Sequence, residues 1–224
     1  DPAAGRHEAE AFDFHKKLIV EQMELEPVRP RRNLLDDQVV WGRAPVRLDL
    51  AGGWTDTPPY CIEHGGRVVN VAVDLNGQPP IQVFGRLSVK HEIVIRSIDL
   101  GIDERVATYE DLRQWGKLGS GFGIAKAALA LAGFDPRFHA GDGAGALADL
   151  LRRDFGGGID LSMVCAVPKG SGLGTSSILA AALLGTLGEM CGLGWKPGDI
   201  IGRTLALEQM LTAGGGWQDQ VGGV

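Results

Sequence analysis

The chain has 224 residues and a formal charge of −6, enough length to bury a core in one or two domains and without the basic excess that non-specific nucleic-acid binding needs. Hydrophobic residues make up 44% and charged residues 22%, the balance of an ordinary soluble globular protein, so a small-molecule partner is expected. The 34 glycines are about twice the usual ~7% share and gather in turns, which indicates sites built from backbone rather than disorder.

Residues 7–26 read as a charged helix, with Ala11, Phe14 and Leu18 at helical spacing. Pro27 and Pro30 break it, and Arg29, Arg31 and Arg32 form a short basic linker expected to be a solvated connector. The chain opens without an initiator Met, so residues 1–38 are expected to be a helical linker from an upstream region, with 39–224 the domain that follows. From Val39 the chain reads as strands over 39–50, 67–75, 80–86 and 91–98. Asn76-Gly77, between two of these runs, is a hairpin signal. After residue 108 the pattern turns helical. Thr108 and Asp111 have capping spacing, Ile124–Leu131 is an alanine-rich apolar helix, and another helix is expected near 144–153. A strand over 159–167, a glycine-rich loop and an apolar helix to Met190 come next. Pro197 starts a final helix that reaches Leu211. Strands first, then mixed helices and a strand, read as an α+β arrangement.

The apolar stretch at 178–190 is too short to span a bilayer, and no signal peptide is visible. Cys61, Cys165 and Cys191 are odd in number and widely spaced, without a metal-ligand pattern. A reducing, cytoplasmic location is expected.

The glycine-rich loop runs Pro168-Lys169-Gly170-Ser171-Gly172-Leu173-Gly174-Thr175-Ser176-Ser177. Between a strand and a helix, such a loop lets backbone amides crowd around an anion, and the helix aims its unpaired N–H groups at the same point. Three hydroxyls add ligands for phosphate oxygens or magnesium. The spacing is neither a Walker A loop nor a Rossmann fingerprint, because the glycines fall as GxGxG. A third kind of phosphate loop is indicated.

Two further segments bear on it: Gly42 to Pro59, containing Arg47 and Gly52-Gly53-Trp54-Thr55-Asp56-Thr57-Pro58-Pro59, and Thr212 to Gly223, containing Gly216-Trp217-Gln218-Asp219-Gln220. With the loop, these resemble the motifs of the GHMP kinases, in the right order and from about residue 40 onward. The GGWTDTPP and GGGWQDQ sequences most resemble the L-fucokinases of that family, including the kinase half of bifunctional fucokinase/GDP-fucose pyrophosphorylases, with heptose-phosphate kinases as near relatives.

The resemblance implies a GHMP kinase N-terminal domain, with an upstream nucleotidyltransferase domain and a C-terminal kinase domain both outside this sequence. It implies ATP and Mg²⁺, a sugar acceptor, and no nucleic-acid or membrane partner. Pro168, Gly170, Ser171, Gly172, Leu173, Gly174, Thr175 and Ser176 would cradle the nucleotide, while Ser176 and Glu208 would hold the metal. Asp219 would face the acceptor hydroxyl, as general base or orienting charge, and orientation with late proton transfer is the easier account. Arg47 would stabilise the moving phosphoryl group. Asp56 would accept hydrogen bonds from sugar hydroxyls beside Gly53, and Trp54 and Trp217 would stack on the ring or serve as core aromatics. Arg43 alternates onto the same strand face as Arg47. The expected reaction makes L-fucose 1-phosphate. The alternatives are a D-glycero-D-manno-heptose 7-phosphate kinase and a non-catalytic sugar or nucleotide sensor on the same fold.

Overall fold

The computed structural model describes residues 25–57, 59–116, 120–143, 145–168, 170–211 and 218–222. Its strands are β1 (Val39–Ala44), β2 (Val46–Ala51), β3 (Val69–Val73), β4 (Ile81–Ser88), β5 (Ile93–Ser97), β6 (Ile102–Val106) and β7 (Gly158–Cys165). Its helices are α1 (Tyr60–His64), α2 (Tyr109–Leu112), α3 (Gly123–Leu129), α4 (Leu147–Leu150), α5 (Thr175–Met190), α6 (Pro197–Leu211) and α7 (Gln218–Gly222). A five-stranded mixed sheet has the order β1-β4-β7-β5-β6, and β2 and β3 form a separate ribbon. This is an α+β fold. The helix expected over 7–26 falls almost wholly outside the described residues.

Pro45 divides what the sequence presents as one strand over 39–50. It has no N–H to give a ladder, and the chain changes sheets there: β1 pairs antiparallel with β4, and β2 with β3. Asn76 and Gly77, at φ 51° and 71°, make the tight turn their sequence signals, closed by two 2.9 Å hydrogen bonds between Leu75 and Gln78. The expected hairpin does not extend beyond it. Pro79 and Pro80 follow at once and cannot donate, so β3 and β4 part to different sheets. Strand β6 was not anticipated. Its central Asp103-Glu104-Arg105 masks any apolar alternation, as suits a charged edge strand. The capping box forms as expected, with Asp111 N donating to Thr108 Oγ1 and Thr108 N to Asp111 Oδ2.

Helices α3 and α5 pack together, and α5 lies across β4 and β1. The inner sheet face gives the core Ile81, Val83, Ile93, Ile95, Ile159 and Leu161, all without exposure. Full burial of such side chains contributes about 1.5–3 kcal/mol each. Helix α5 is apolar nearly all round, which makes it a central helix rather than a surface one. The opposite sheet face is partly covered, with Val94 and Asp160 buried on it. On it Trp41 stacks on Phe84 at 5.6 Å, and Arg86 and Arg96 flank Asp160 at 3.0 and 3.3 Å.

The basic linker is docked along its backbone instead of running free. Val28 N donates to Phe138 O, Arg31 N to Cys191 O, and Asn33 N to Met190 O, at 2.9–3.0 Å. Arg29 reaches Asp154 at 2.6 Å, while Arg31 and Arg32 stay exposed. Among the described residues no helix is long and apolar enough to cross a membrane.

Candidate active site

A cleft of about 640 Å³ opens where β5 and β7 end and α5 begins. Ser97, Asp99 and Cys165 line it from the sheet, and Trp115, Ile124 and Leu179 give it an apolar wall. Facing these are Arg47, Trp54, Asp219 and the glycine loop from Gly170 to Ser176. The cleft thus gathers most of the residues expected to act, from segments far apart in the sequence.

The loop takes its shape from Gly172 and Gly174, which hold φ of 74° and 71°, where side chains are strained. Their surroundings differ. A Cβ on Gly172 would meet nothing within 4 Å, whereas one on Gly174 would lie 3.0 Å from Asp219 Oδ1 and 3.2 Å from Arg47 Cγ. Gly174 directly precedes α5, so the unpaired N–H groups of that helix open beside the loop. The three hydroxyls that follow point to three different surroundings. Thr175 Oγ1 is buried without a partner, Ser176 is exposed and lines the cleft, and Ser177 Oγ donates to Glu208 on α6.

Arg47, on β2, is 6% exposed and donates from Nε to Asp219 Oδ1. Its backbone N donates to Leu173 O at 3.2 Å, which ties β2 to the glycine loop. A guanidinium–carboxylate contact removed from water is stronger than its surface counterpart. A second carboxylate, Asp49, stands 3.9 Å from Arg47 Nη1, and its Oδ1 is buried without a partner. The sequence reading did not single out Asp49. The signal lay in Gly53, where a Cβ would fall 2.1 Å from Asp49 Oδ2, so the glycine makes room for this carboxylate.

Asp56 is fully buried and accepts two hydrogen bonds from Gln218, from its N at 2.9 Å and its Nε2 at 3.2 Å. Trp54 is 81% exposed and holds φ of 71°, a rare conformation for a bulky side chain. Gly53, Asp56, Pro168, Leu173 and Glu208 are not part of the cleft lining. Arg43 is exposed and lies over the Trp41 ring at 4.5 Å, apart from Arg47. Trp217, Lys169 and the glycines before Trp217 lie outside the described residues. Among the described residues no three His, Cys, Asp or Glu side chains converge as a metal site.

Residues 144–223 match the GHMP kinases N terminal domain. The chain is 51% identical over 217 residues, 97% of its length, to the L-fucokinase/L-fucose-1-P guanylyltransferase of Bacteroides fragilis. It is 34% identical over 182 residues, 80% of its length, to the bifunctional fucokinase/GDP-fucose pyrophosphorylase of Arabidopsis thaliana. It spans 23% and 16% of the lengths of those two proteins. Lactococcus lactis galactokinase, solved with galactose, superposes with a TM-score of 0.59 at 17% identity, over 84% of this chain and 42% of that one. Sequence and fold lead to the same place: residues 144–223 match the N-terminal domain of the GHMP kinases, and the described residues adopt a fold like that of solved GHMP kinases.

Proposed function

We propose that this chain forms the phosphate-binding part of an ATP-dependent sugar kinase, which transfers the γ-phosphoryl group of ATP to the anomeric hydroxyl of L-fucose and gives L-fucose 1-phosphate. The observation that carries this reading is the half-buried Arg47–Asp219 pair set against a glycine loop in one cleft. The 51% identity to a protein named as an L-fucokinase supports the choice of sugar. The same name includes a guanylyltransferase, an activity that would consume the product.

Phosphoryl transfer depends mainly on positioning and on neutralising charge. The loop amides and the N–H groups opening α5 would bind the nucleotide phosphates, and the unpartnered Thr175 hydroxyl would donate to one of their oxygens. Trp115, Ile124 and Leu179 offer an apolar wall for the base. Bound Mg²⁺ would neutralise phosphate charge, and Ser176, with its hydroxyl in the cleft, and Glu208, one helix away, are the side chains that would hold it. Asp219 would accept a hydrogen bond from the sugar hydroxyl. As the sugar oxygen bonds to the γ-phosphorus and the bond to ADP breaks, the hydroxyl proton passes late to Asp219. Arg47 would hold Asp219 in place and balance charge on the moving group.

A coupled ADP-release assay on the full-length protein that contains this sequence tests the reading, with L-fucose, galactose, mannose and a heptose 7-phosphate as acceptors. L-Fucose is expected to support release far better than the others. A phosphorylated heptose as best acceptor would overturn the sugar and leave the kinase. Sugar and ATP binding with no ADP release would identify a sensor instead.

A further inference from the structure

We propose that Lys126 is a positioning residue: through its buried ion pair with Glu104 it fixes the wall of the cleft against which the nucleotide base lies. The inference rests on the kinase reading above and adds to it a residue from outside the cleft.

Two charged residues stand where the core pattern calls for apolar ones. On β6 the inward-facing residues are Ile102, Glu104 and Val106, paired with Ser97, Ile95 and Ile93 of β5, so Glu104 takes a core position opposite the fully buried Ile95. Lys126 lies on α3 within a run, residues 125–135, that is buried throughout, and it is itself 1% exposed. Each residue breaks the pattern of its own element, and the two meet: Lys126 Nζ donates to Glu104 Oε1 at 2.6 Å. An ion pair removed from water stabilises little, because desolvation offsets the attraction, and an apolar pair of similar volume serves a core as well or better. What such a pair supplies is placement, since a short charge-assisted contact ties one point on a helix to one point on a strand. Departures from local consistency gather where function needs them.

The tie falls directly behind the cleft. Gly123, Ile124 and Ala125 of α3 line the cleft together with Trp115 and Gly121. Lys126 follows them in the same turn, and its side chain leads to β6. Close approaches carry its position to the rest of that wall. A Cβ on Gly123 would lie 2.7 Å from Trp115 O, so the backbone that bears the Trp115 ring rests on the first residue of α3. A Cβ on Gly121 would lie 2.8 Å from Ile102 Cδ1, so β6 also touches the segment before the helix. Strand β6 is an edge strand, paired only with β5, and the ion pair anchors it to α3 as well. The glycine loop joins β7 to α5, which the ion pair does not touch, so the pair bears on the base and not on the phosphates.

The test uses the full-length protein and measures, by calorimetry, the binding of ADP and of inorganic tripolyphosphate, which carries phosphates without a base. Thermal melts run alongside. Lys126→Met keeps the stem and removes the ammonium, and Glu104→Gln keeps an oxygen that can accept from Lys126. A double variant, Lys126→Met with Glu104→Leu, makes the pair apolar. A gap of about one methylene in an apolar pocket costs ~10-fold or more, so Lys126→Met should weaken ADP by about that factor. Tripolyphosphate should stay within about twofold, because the loop amides are untouched. Glu104→Gln should bind ADP within about threefold of the wild type, since the hydrogen bond survives. The double variant separates placement from stability. Its Tm should at least equal that of the wild type, as replacing a buried ion pair with apolar side chains allows, while ADP binding stays about tenfold weaker. Recovery of ADP affinity together with Tm would overturn the proposal and make the pair a support of the fold alone. Equal weakening of ADP and tripolyphosphate would overturn it too, as would unchanged ADP binding in the double variant. If the wild type binds ADP but phosphorylates no sugar, the kinase reading fails by itself, and the binding comparison still decides the role of Lys126. If the wild type binds no ADP, both fail. If Lys126→Met does not fold, the double variant and Glu104→Gln decide by the same criteria.

Discussion

Gly172→Ala and Gly174→Ala make a matched pair that separates backbone strain from crowding at the Asp219 carboxylate. Both glycines have nearly the same φ, 74° and 71°, so both variants carry the same left-handed penalty of about 1–2 kcal/mol. For a domain of this size that lowers Tm by about 2–8 °C. Beyond this point they diverge. The new methyl at 172 meets nothing, while the one at 174 lies 3.0 Å from Asp219 Oδ1 and 3.2 Å from Arg47 Cγ, so the pair must give by a few tenths of an ångström. If ~1 Å of misplacement costs ~10²-fold, a shift of that size costs about fivefold in kcat. Gly174→Ala is therefore expected to lose kcat with little change in KM for ATP. On the proposed reading, Gly172→Ala should raise KM for ATP, because its Cβ would stand where phosphate approaches the loop, and should leave kcat nearly intact. Steady-state kinetics in ATP on the full-length protein, with thermal melts of both variants, are the assay. Equal kcat losses in two equally destabilised variants would refute the reasoning, since nothing would then distinguish the crowded position from the open one.

Asp219→Asn should lose about 10²–10⁴-fold in kcat, and Arg47→Lys should also fail for want of a planar guanidinium; the double variant should be little worse than the poorer single, and multiplicative losses would show that the two act separately. Burial pushes the Cys191 thiol far up, so iodoacetamide followed by mass spectrometry should modify the part-exposed Cys61 and Cys165 in the native protein, and Cys191 only after unfolding. The Asp154 carboxyl, which faces Arg153, Arg29 and His139, is held down from 3.8 to about 2, chiefly by hydrogen bonds from the Arg153 and Arg29 side chains. A depressed carboxylate contributes its full stability above its unfolded pKa of 3.8 and loses it as pH falls toward about 2. Denaturant melts across that window should show a steeper acid loss in the wild type than in Asp154→Asn, and parallel curves would remove Asp154 from the acid response.

Much of the fold was legible because its signals are local. The Thr108–Asp111 cap, the Pro197 helix start and the apolar run into β7 each declare themselves within a few residues. What escaped was settled by partners elsewhere. Pro45 was visible, but the Val- and Leu-rich run around it reads as one strand unless two sheets are already known to receive its halves. The Asn76-Gly77 turn formed without its hairpin, since turn chemistry fixes a reversal and not what the flanking strands pair with. In the site, the glycine loop and the Arg47 and Asp219 motifs could be picked out one by one, while their meeting was implied by the family resemblance and not by their spacing. Which of three consecutive hydroxyls faces Glu208 depends on the phase of α5, and the structure gives that contact to Ser177, next to the residue the sequence singled out. Asp49 was marked only by the room Gly53 leaves it, and the Gln218 grip on Asp56, joining residues 162 apart, left no local trace.

The separation of Arg47 and Asp219 by 172 positions also has a meaning in time. At about 5–20 residues per second, a ribosome needs roughly 10–30 s to travel from one to the other. Throughout that interval the emerging chain has its arginine, and toward the end of it a finished glycine loop, while the carboxylate that would receive the acceptor has not been made. On the proposed reading, a nascent chain of this design would bind nucleotide before it could turn it over, so the order of synthesis itself would delay ATP turnover until the segment carrying Asp219 has joined the ribbon.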